Sequence, residues 1–151
     1  MRELKFWEAV SEATVQAMDV DERVVVLGPG VTDPKGVYGT TLEAVRRYPA
    51  RVLETPLSEA GITGAAVGMA MRGLRPVVVH MRCDFLLCAM DQMVNTLAKW
   101  RWLTGQAVPV VVRAVVGAGW GQGPQHAQML AATFAHFPGF AVAVPSSPFA
   151  A

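Results

Sequence analysis

Acidic residues run out early in this sequence: no Asp or Glu follows Asp91 anywhere in the 151 residues. Cysteine is scarce as well. Cys83 and Cys88 are the only two, they do not form a CxxC pair, and both lie in an apolar stretch. Two such thiols make a disulfide framework and a two-cysteine metal site poor readings and point to a reducing compartment, the cytoplasm. Charge of either sign is thin: charged residues make up 17% and the net charge is +1, with Arg46-Arg47 the only adjacent basic pair. That leaves no electrostatic basis for binding nucleic acid or an anionic membrane. No apolar run approaches the roughly 20 residues that span a bilayer. The opening residues, Met1 to Glu8, mix acid and base and carry no apolar signal core.

What is present is apolar. Hydrophobic residues make up 52%, enough for one domain with a sizeable core and too much for disorder. A mean hydropathy of +0.33 is high for a soluble monomer and suggests a buried subunit interface.

Helix-like and strand-like segments alternate along the chain. Leu4 to Met18 has helical apolar spacing, and Val24 to Leu27 is a short buried strand ended by Gly28-Pro29-Gly30. Thr40 or Thr41 can cap a short helix through Tyr48, and Arg51 to Glu54 is a weak strand. Ser58 starts a helix to Arg72 that stops at Gly73. Gly61, Gly64 and Gly68 fall on one side of it, each costing about 1 kcal/mol relative to alanine. That pattern suggests close approach of another backbone, such as a second subunit. Pro76 to Met81 reads as a strand, Leu86 to Leu103 as the longest helix, and Val108 to Val116 as the strongest strand. After a glycine-rich loop come a helix from His126 to Phe137 and a last strand from Phe140 to Val144. Strands apolar on both faces, alternating with helices, predict an α/β fold: a parallel sheet with helices on both faces. A crossover helix could begin at Pro145-Ser-Ser-Pro148, which would leave the sheet truncated at its C-terminal end.

Open parallel sheets collect ligands at the carboxyl ends of their strands. Three segments belong there: 54–60, 81–85 and 117–126. On spacing alone, Glu54-Thr-Pro-Leu-Ser-Glu-Ala-Gly61 reads most simply as a loop, a Ser58 cap and an acidic first turn, where a carboxylate gains about 0.3–1 kcal/mol from the helix dipole. The loop Gly117-Ala-Gly-Trp-Gly-Gln-Gly123 sits between strand and helix but places Gln122 where a GxGxxG needs its third glycine. The partner acid about 20 residues on is missing too, which argues against a dinucleotide site. Taken singly, His80, His126 and His136 read as structural histidines, Phe85 as core, and Asp84 and Asp91 as solvent-facing or capping groups.

As an ordered set these segments carry more. Glu54 to Gly61, Gly73-Leu-Arg-Pro76, Asp84-Phe85, Asp91-Gln92 with Asn95, Ala98-Lys99, Gly121-Gln-Gly-Pro-Gln-His-Ala-Gln128 and Ala135-His-Phe-Pro-Gly139 together resemble one family. It is the beta subunits of the decarboxylating component of thiamine-diphosphate-dependent pyruvate, branched-chain 2-oxoacid and acetoin dehydrogenases. The resemblance implies that residues 1–151 are a transketolase-like pyrimidine-binding domain and that the family's C-terminal domain is absent. It implies that Glu59 hydrogen-bonds N1′ of the cofactor's aminopyrimidine, that Phe85 stacks on that ring, that Leu57 lines the pocket, and that His126 reaches the reacting centre. Glu59 and His126 would then be the catalytic residues. Thiamine diphosphate and Mg²⁺ would be bound mainly by an alpha-type partner carrying the diphosphate-binding domain, with no metal ligand from this chain.

The further partners implied are a second chain supplying the missing C-terminal domain, a lipoyl-bearing acyltransferase and a small 2-oxoacid substrate. A transketolase-like two-carbon transfer subunit and a non-catalytic truncated interaction module are the alternatives. Two departures stand out: Gly28-Pro29-Gly30 replaces the acidic pair that often follows the first strand, and His80-Met-Arg-Cys83 replaces an aromatic-rich segment.

Overall fold

Four short valine-containing runs form the spine of the computed structural model, which describes residues 3–117, 119 and 122–151. They are β1 (Val24–Gly28), β2 (Val52–Glu54), β3 (Arg75–His80) and β4 (Val111–Ala114). All pair in parallel, in the order β2-β1-β3-β4, with Val26 opposite Val52, Val25 opposite Pro76 and Val78 opposite Val112. Parallel neighbours need crossovers, and helices supply them. α2 (Leu42–Arg47), α3 (Glu59–Met71) and α4 (Ala98–Thr104) lie in the three crossovers, while α1 (Phe6–Val20) precedes β1 and α5 (Ala131–Ala135) follows β4.

Side chains alternate across a strand, so each apolar strand feeds two cores. Val24, Val26, Val52 and Val79 pack with Val15 and Met18 of α1 and Ala44 of α2. On the opposite face, Leu27 and Val78 pack with Ile62 and Ala66 of α3. Val112 and Ala114 continue that face against Cys83, Leu86, Met93 and Phe134. Fully burying a side chain of this size contributes about 1.5–3 kcal/mol. The sheet therefore carries helices on both faces, as the apolar pattern predicts. The chain leaves β1 toward β2 and returns on the other side as β3, so the switch in direction lies between β1 and β3, where open sheets hold ligands.

Gly28 ends β1 with φ 153°, and a Cβ there would lie 2.2 Å from the Val79 carbonyl oxygen. Only glycine fits that approach.

Several elements differ from the sequence pattern. The 86–103 helix is three forms in series: a 3-10 stretch Cys83–Ala89, a π-helical stretch Asp91–Leu97, and α4. Apolar periodicity registers a helix but not its pitch. The expected helix from His126 to Phe137 is a single turn, Pro124–His126, followed by the separate α5. Between the two, the Gln128 amide donates to the Asp84 carboxylate, 44 positions away. β4 is shorter than 108–116 because its ladder ends with β3: its four residues pair with Val77 to His80. Residues 140–144 form no strand, and Val142 and Val144 are exposed. Their alternating apolar pattern fits a strand, yet they pair with none among the described residues.

Candidate functional site

The carboxyl ends of the strands gather the side chains that sequence reasoning singled out. β2 ends in Glu54, whose carboxylate reaches across to the turn after β1. It accepts hydrogen bonds from the amides of Gly30 (2.6 Å) and Thr32 (2.9 Å) and from the Thr32 hydroxyl (2.9 Å). Burial pushes this carboxyl up, but those donors outweigh it and hold it below the usual glutamate range. The turn has no acid at Gly28-Pro29-Gly30 and takes its acceptor from the neighbouring strand instead.

Glu59 is the first residue of α3 and is half-buried. Ser58 occupies the N-cap position but makes no side-chain capping bond. No hydrogen bond or ion pair among the described residues engages the Glu59 carboxylate, which leaves its acceptor capacity open. It does act electrostatically on His80 at the end of β3. His80 is 1% exposed; its Nε2 lies 3.4 Å from the Thr63 hydroxyl of α3, and its Nδ1 has no hydrogen-bond partner. Burial pulls the His80 pKa down, against the opposing pull of Glu59, so the ring sits neutral in the core. That is a structural histidine, as read from the sequence.

Beyond β3 the chain turns through Arg82, Cys83, Asp84 and Phe85, packed between α3 and the Pro124–His126 turn. The Phe85 and His126 rings meet nearly at right angles (85°), with centroids 5.4 Å apart. Two residues thus join at one point across 41 positions of sequence. Leu57 lies in the loop before α3 and is 76% exposed, so no apolar lining yet closes over it. His136 stands at the end of α5, exposed, with its ring against Phe137.

Asp84 is not a solvent-facing group. It is 7% exposed and accepts from the Gln128 amide (3.2 Å) and the Gln128 side chain (2.9 Å). Arg82 is buried too, donating to the Tyr38 hydroxyl, to the Met81 carbonyl (2.8 Å) and to the Gln122 side chain (3.0 Å). Sequence reasoning missed Glu54, Arg82 and both glutamines as site-building residues. Their partners are 22 to 44 positions away, beyond any local spacing signal. Ala118, Trp120 and Gly121 of the glycine-rich loop lie outside the described residues.

Residues 2–151 match the family described as "Transketolase, pyrimidine binding domain". The chain belongs to this family. Among the relatives of this transketolase-type domain, the pyruvate dehydrogenase E1 component subunit beta-2 of Oryza sativa subsp. japonica is 42% identical over 97% of this chain and 40% of that protein. The beta subunit of acetoin:2,6-dichlorophenolindophenol oxidoreductase from Cupriavidus necator is 39% identical, over 98% of this chain and 47% of its own length. The human pyruvate dehydrogenase E1 subunit beta is 38% identical over 91% of this chain and 39% of its own. The chain therefore spans less than half the length of these curated relatives. A solved structure titled "Split gene transketolase, inactive beta4 tetramer" superposes with a TM-score of 0.64 at 18% identity, covering 87% of this chain and 39% of that one. At that identity the likeness establishes the fold alone. The transketolase-type pyrimidine-binding fold is thus supported by sequence and by shape, and Glu59, Phe85 and His126 all follow the carboxyl ends of its strands.

Proposed function

We propose that this chain is the pyrimidine-binding part of a beta-type subunit of a thiamine-diphosphate-dependent 2-oxoacid dehydrogenase. The observation that carries the reading is a half-buried glutamate with an unengaged carboxylate at the start of α3, on the same sheet end as the paired Phe85 and His126 rings. A carboxyl acceptor and an aromatic face are the groups an aminopyrimidine ring needs, and an imidazole suits the substrate side. The donor set fits the cofactor.

In this reading Glu59 accepts a hydrogen bond from, or shares a proton with, N1′ of the aminopyrimidine. Phe85 packs on the ring, and Leu57 covers its margin once a partner closes the site. Thiamine diphosphate supplies the electron sink for the pair released when a 2-oxoacid loses CO₂. His126, whose Nδ1 is shielded from solvent and unpartnered, faces the substrate side and moves or stabilises a proton there.

The site is open on one side, with Leu57 exposed. A groove of about 440 Å³ between α1 and α2 is lined by residues such as Trp7, Glu12 and Arg47 and includes none of the four site residues. A half-site of this kind fits an alpha-type partner that brings the diphosphate site and Mg²⁺, with a second chain supplying the C-terminal domain and a lipoyl-bearing acyltransferase taking the acyl group. Free thiols at Cys83 and Cys88 support a reducing compartment such as the cytoplasm.

Co-expression with an alpha-type subunit tests the reading. The complex is expected to bind thiamine diphosphate and decarboxylate a 2-oxoacid. Glu59→Ala is expected to cut that activity by about 10²–10⁴-fold with assembly intact. A complex that forms but never binds the cofactor would instead favour an interaction module, and ketose cleavage without 2-oxoacid turnover would favour two-carbon transfer.

A further inference from the structure

The ring of His126 has no hydrogen bond of its own at Nδ1 to fix its orientation. Its bearing must come from the backbone that carries it and from Phe85. That backbone belongs to a short segment with a single helical turn, Pro124–His126, between stretches of no regular structure. Left to itself, such a segment samples many arrangements.

Two hydrogen-bonded ties hold it, one on each side of His126. Upstream, Arg82 Nη2 donates to Gln122 Oε1 at 3.0 Å. Downstream, Asp84 Oδ1 accepts both from the Gln128 backbone amide at 3.2 Å and from the Gln128 side-chain amide at 2.9 Å. Arg82 and Asp84 are alternate residues of the turn after β3, both buried, and the next residue of that turn is Phe85 itself. One rigid turn therefore grips the segment at positions 122 and 128 and meets the imidazole between them. The turn is in turn anchored: the Cys83 amide donates to the Val115 carbonyl, and the Arg82 guanidinium lies over the Tyr38 ring with its centre 5.2 Å from the centroid. Burial raises the Asp84 carboxyl, but Gln128 and the nearby His126 outweigh it, so it stays an ionised acceptor for both bonds.

We infer that Arg82 and Asp84 are positioning residues, forming a two-point latch through Gln122 and Gln128 that aims His126 at the reacting centre. The inference rests on the proposed role of His126. It also gives a function to the segment 80–83, where this chain departs from the family's aromatic-rich pattern: Arg82 comes from that departure and makes one arm of the latch.

Gln122 and Gln128 are exposed at the surface, so their substitution leaves the core intact. Hydrogen exchange and histidine-selective NMR on the full chain read the latch directly, and kinetics of the complex with its alpha-type partner read its consequence. Gln128→Ala and Asp84→Ala are expected to speed exchange across 122–130 while leaving β3 protected. Both should move the His126 ring resonance away from its Phe85-shifted position toward that of a histidine in the unfolded chain. In the complex, kcat should fall by up to about 10²-fold, the scale of a 1 Å misplacement, with KM nearly unchanged. Asp84→Asn, whose amide oxygen can still accept the Gln128 amide, should restore most of the exchange protection and of kcat.

Unchanged exchange and an unmoved His126 resonance in both Gln128→Ala and Asp84→Ala would overturn the latch. Shifts in both readouts with kcat untouched, in a complex that Glu59→Ala inactivates, would overturn its positioning role. Activity insensitive to both Glu59→Ala and His126→Ala would bring down the functional reading itself, a result distinct from either.

Discussion

His80 and Glu59 show how one residue's surroundings decide its part. Both lie at the carboxyl end of the sheet, yet His80 is sealed in the core with its pKa lowered by burial, while the Glu59 carboxylate has no hydrogen-bond donor among the described residues. The lowered His80 pKa has a testable sign. An unfolded histidine takes up a proton near pH 6.5, and the folded ring resists it, so the unfolded state binds more protons just below that pH. Stability from His80 is thus fully present above about pH 6.5 and is lost as pH falls toward the folded pKa.

Glu54, Asp84 and Asp21 act in a lower window. Each is depressed in the fold, Asp21 to about 2 beside Arg23, so their contribution is present above the ordinary carboxylate range and is lost below about pH 4. Urea midpoints measured from pH 8 to pH 3 should fall in two stages. His80→Gln should flatten the upper stage only, and a single stage in the native chain would contradict the assignment. At this scale, Glu59, Phe85, Leu57 and His126 are singled out only because an ordered set of motifs resembles a known family, and their roles rest on the proposed function. Asp84 was not legible, because its two donors stand 44 positions away and nothing local marks a carboxylate as buried.

Elements were legible where periodicity alone sets them. α1, β1 and β3 fall within a few residues of their apolar patterns; α2 and α3 follow instead from their capping and stop residues. The misses share another cause: tertiary contacts override a local pattern. Asp84 ties Gln128 in the irregular stretch before the last helix, and the pitch changes twice between Cys83 and Thr104.

Glycines give the sharpest tests at this scale. Gly28→Ala drives a Cβ to 2.2 Å from the Val79 carbonyl and should destabilise the chain by about 3 kcal/mol, read by chemical denaturation. Gly68 in α3 has nothing within 4 Å of its Cβ position, so Gly68→Ala should stabilise the isolated chain by about 0.5–1 kcal/mol. Gly61, Gly64 and Gly68 line a face that this chain leaves largely uncovered. If a second subunit's backbone packs there, the same Gly68→Ala that stabilises the monomer will weaken assembly, measured by sedimentation. Equal gains in monomer and complex would dismiss the packed-glycine idea.

At the scale of the whole molecule, the parallel sheet sets three loops side by side at one end and leaves the site open on the side where Leu57 is exposed. The order of strands places the change of direction between β1 and β3, so the turn carrying Arg82, Asp84 and Phe85 emerges beside it. In the proposed reading, this end of the fold is one wall of a pocket and the alpha-type partner supplies the other.

The most direct measurement of the central claim uses thiamine diphosphate labelled with ¹⁵N at N1′, bound to the complex of this chain with its alpha-type subunit. A carboxyl group in hydrogen-bonding contact must displace the N1′ resonance from its position in the free cofactor, and Glu59→Ala must return it there with the cofactor still bound. An N1′ resonance that is the same in the native and Glu59→Ala complexes would contradict the account.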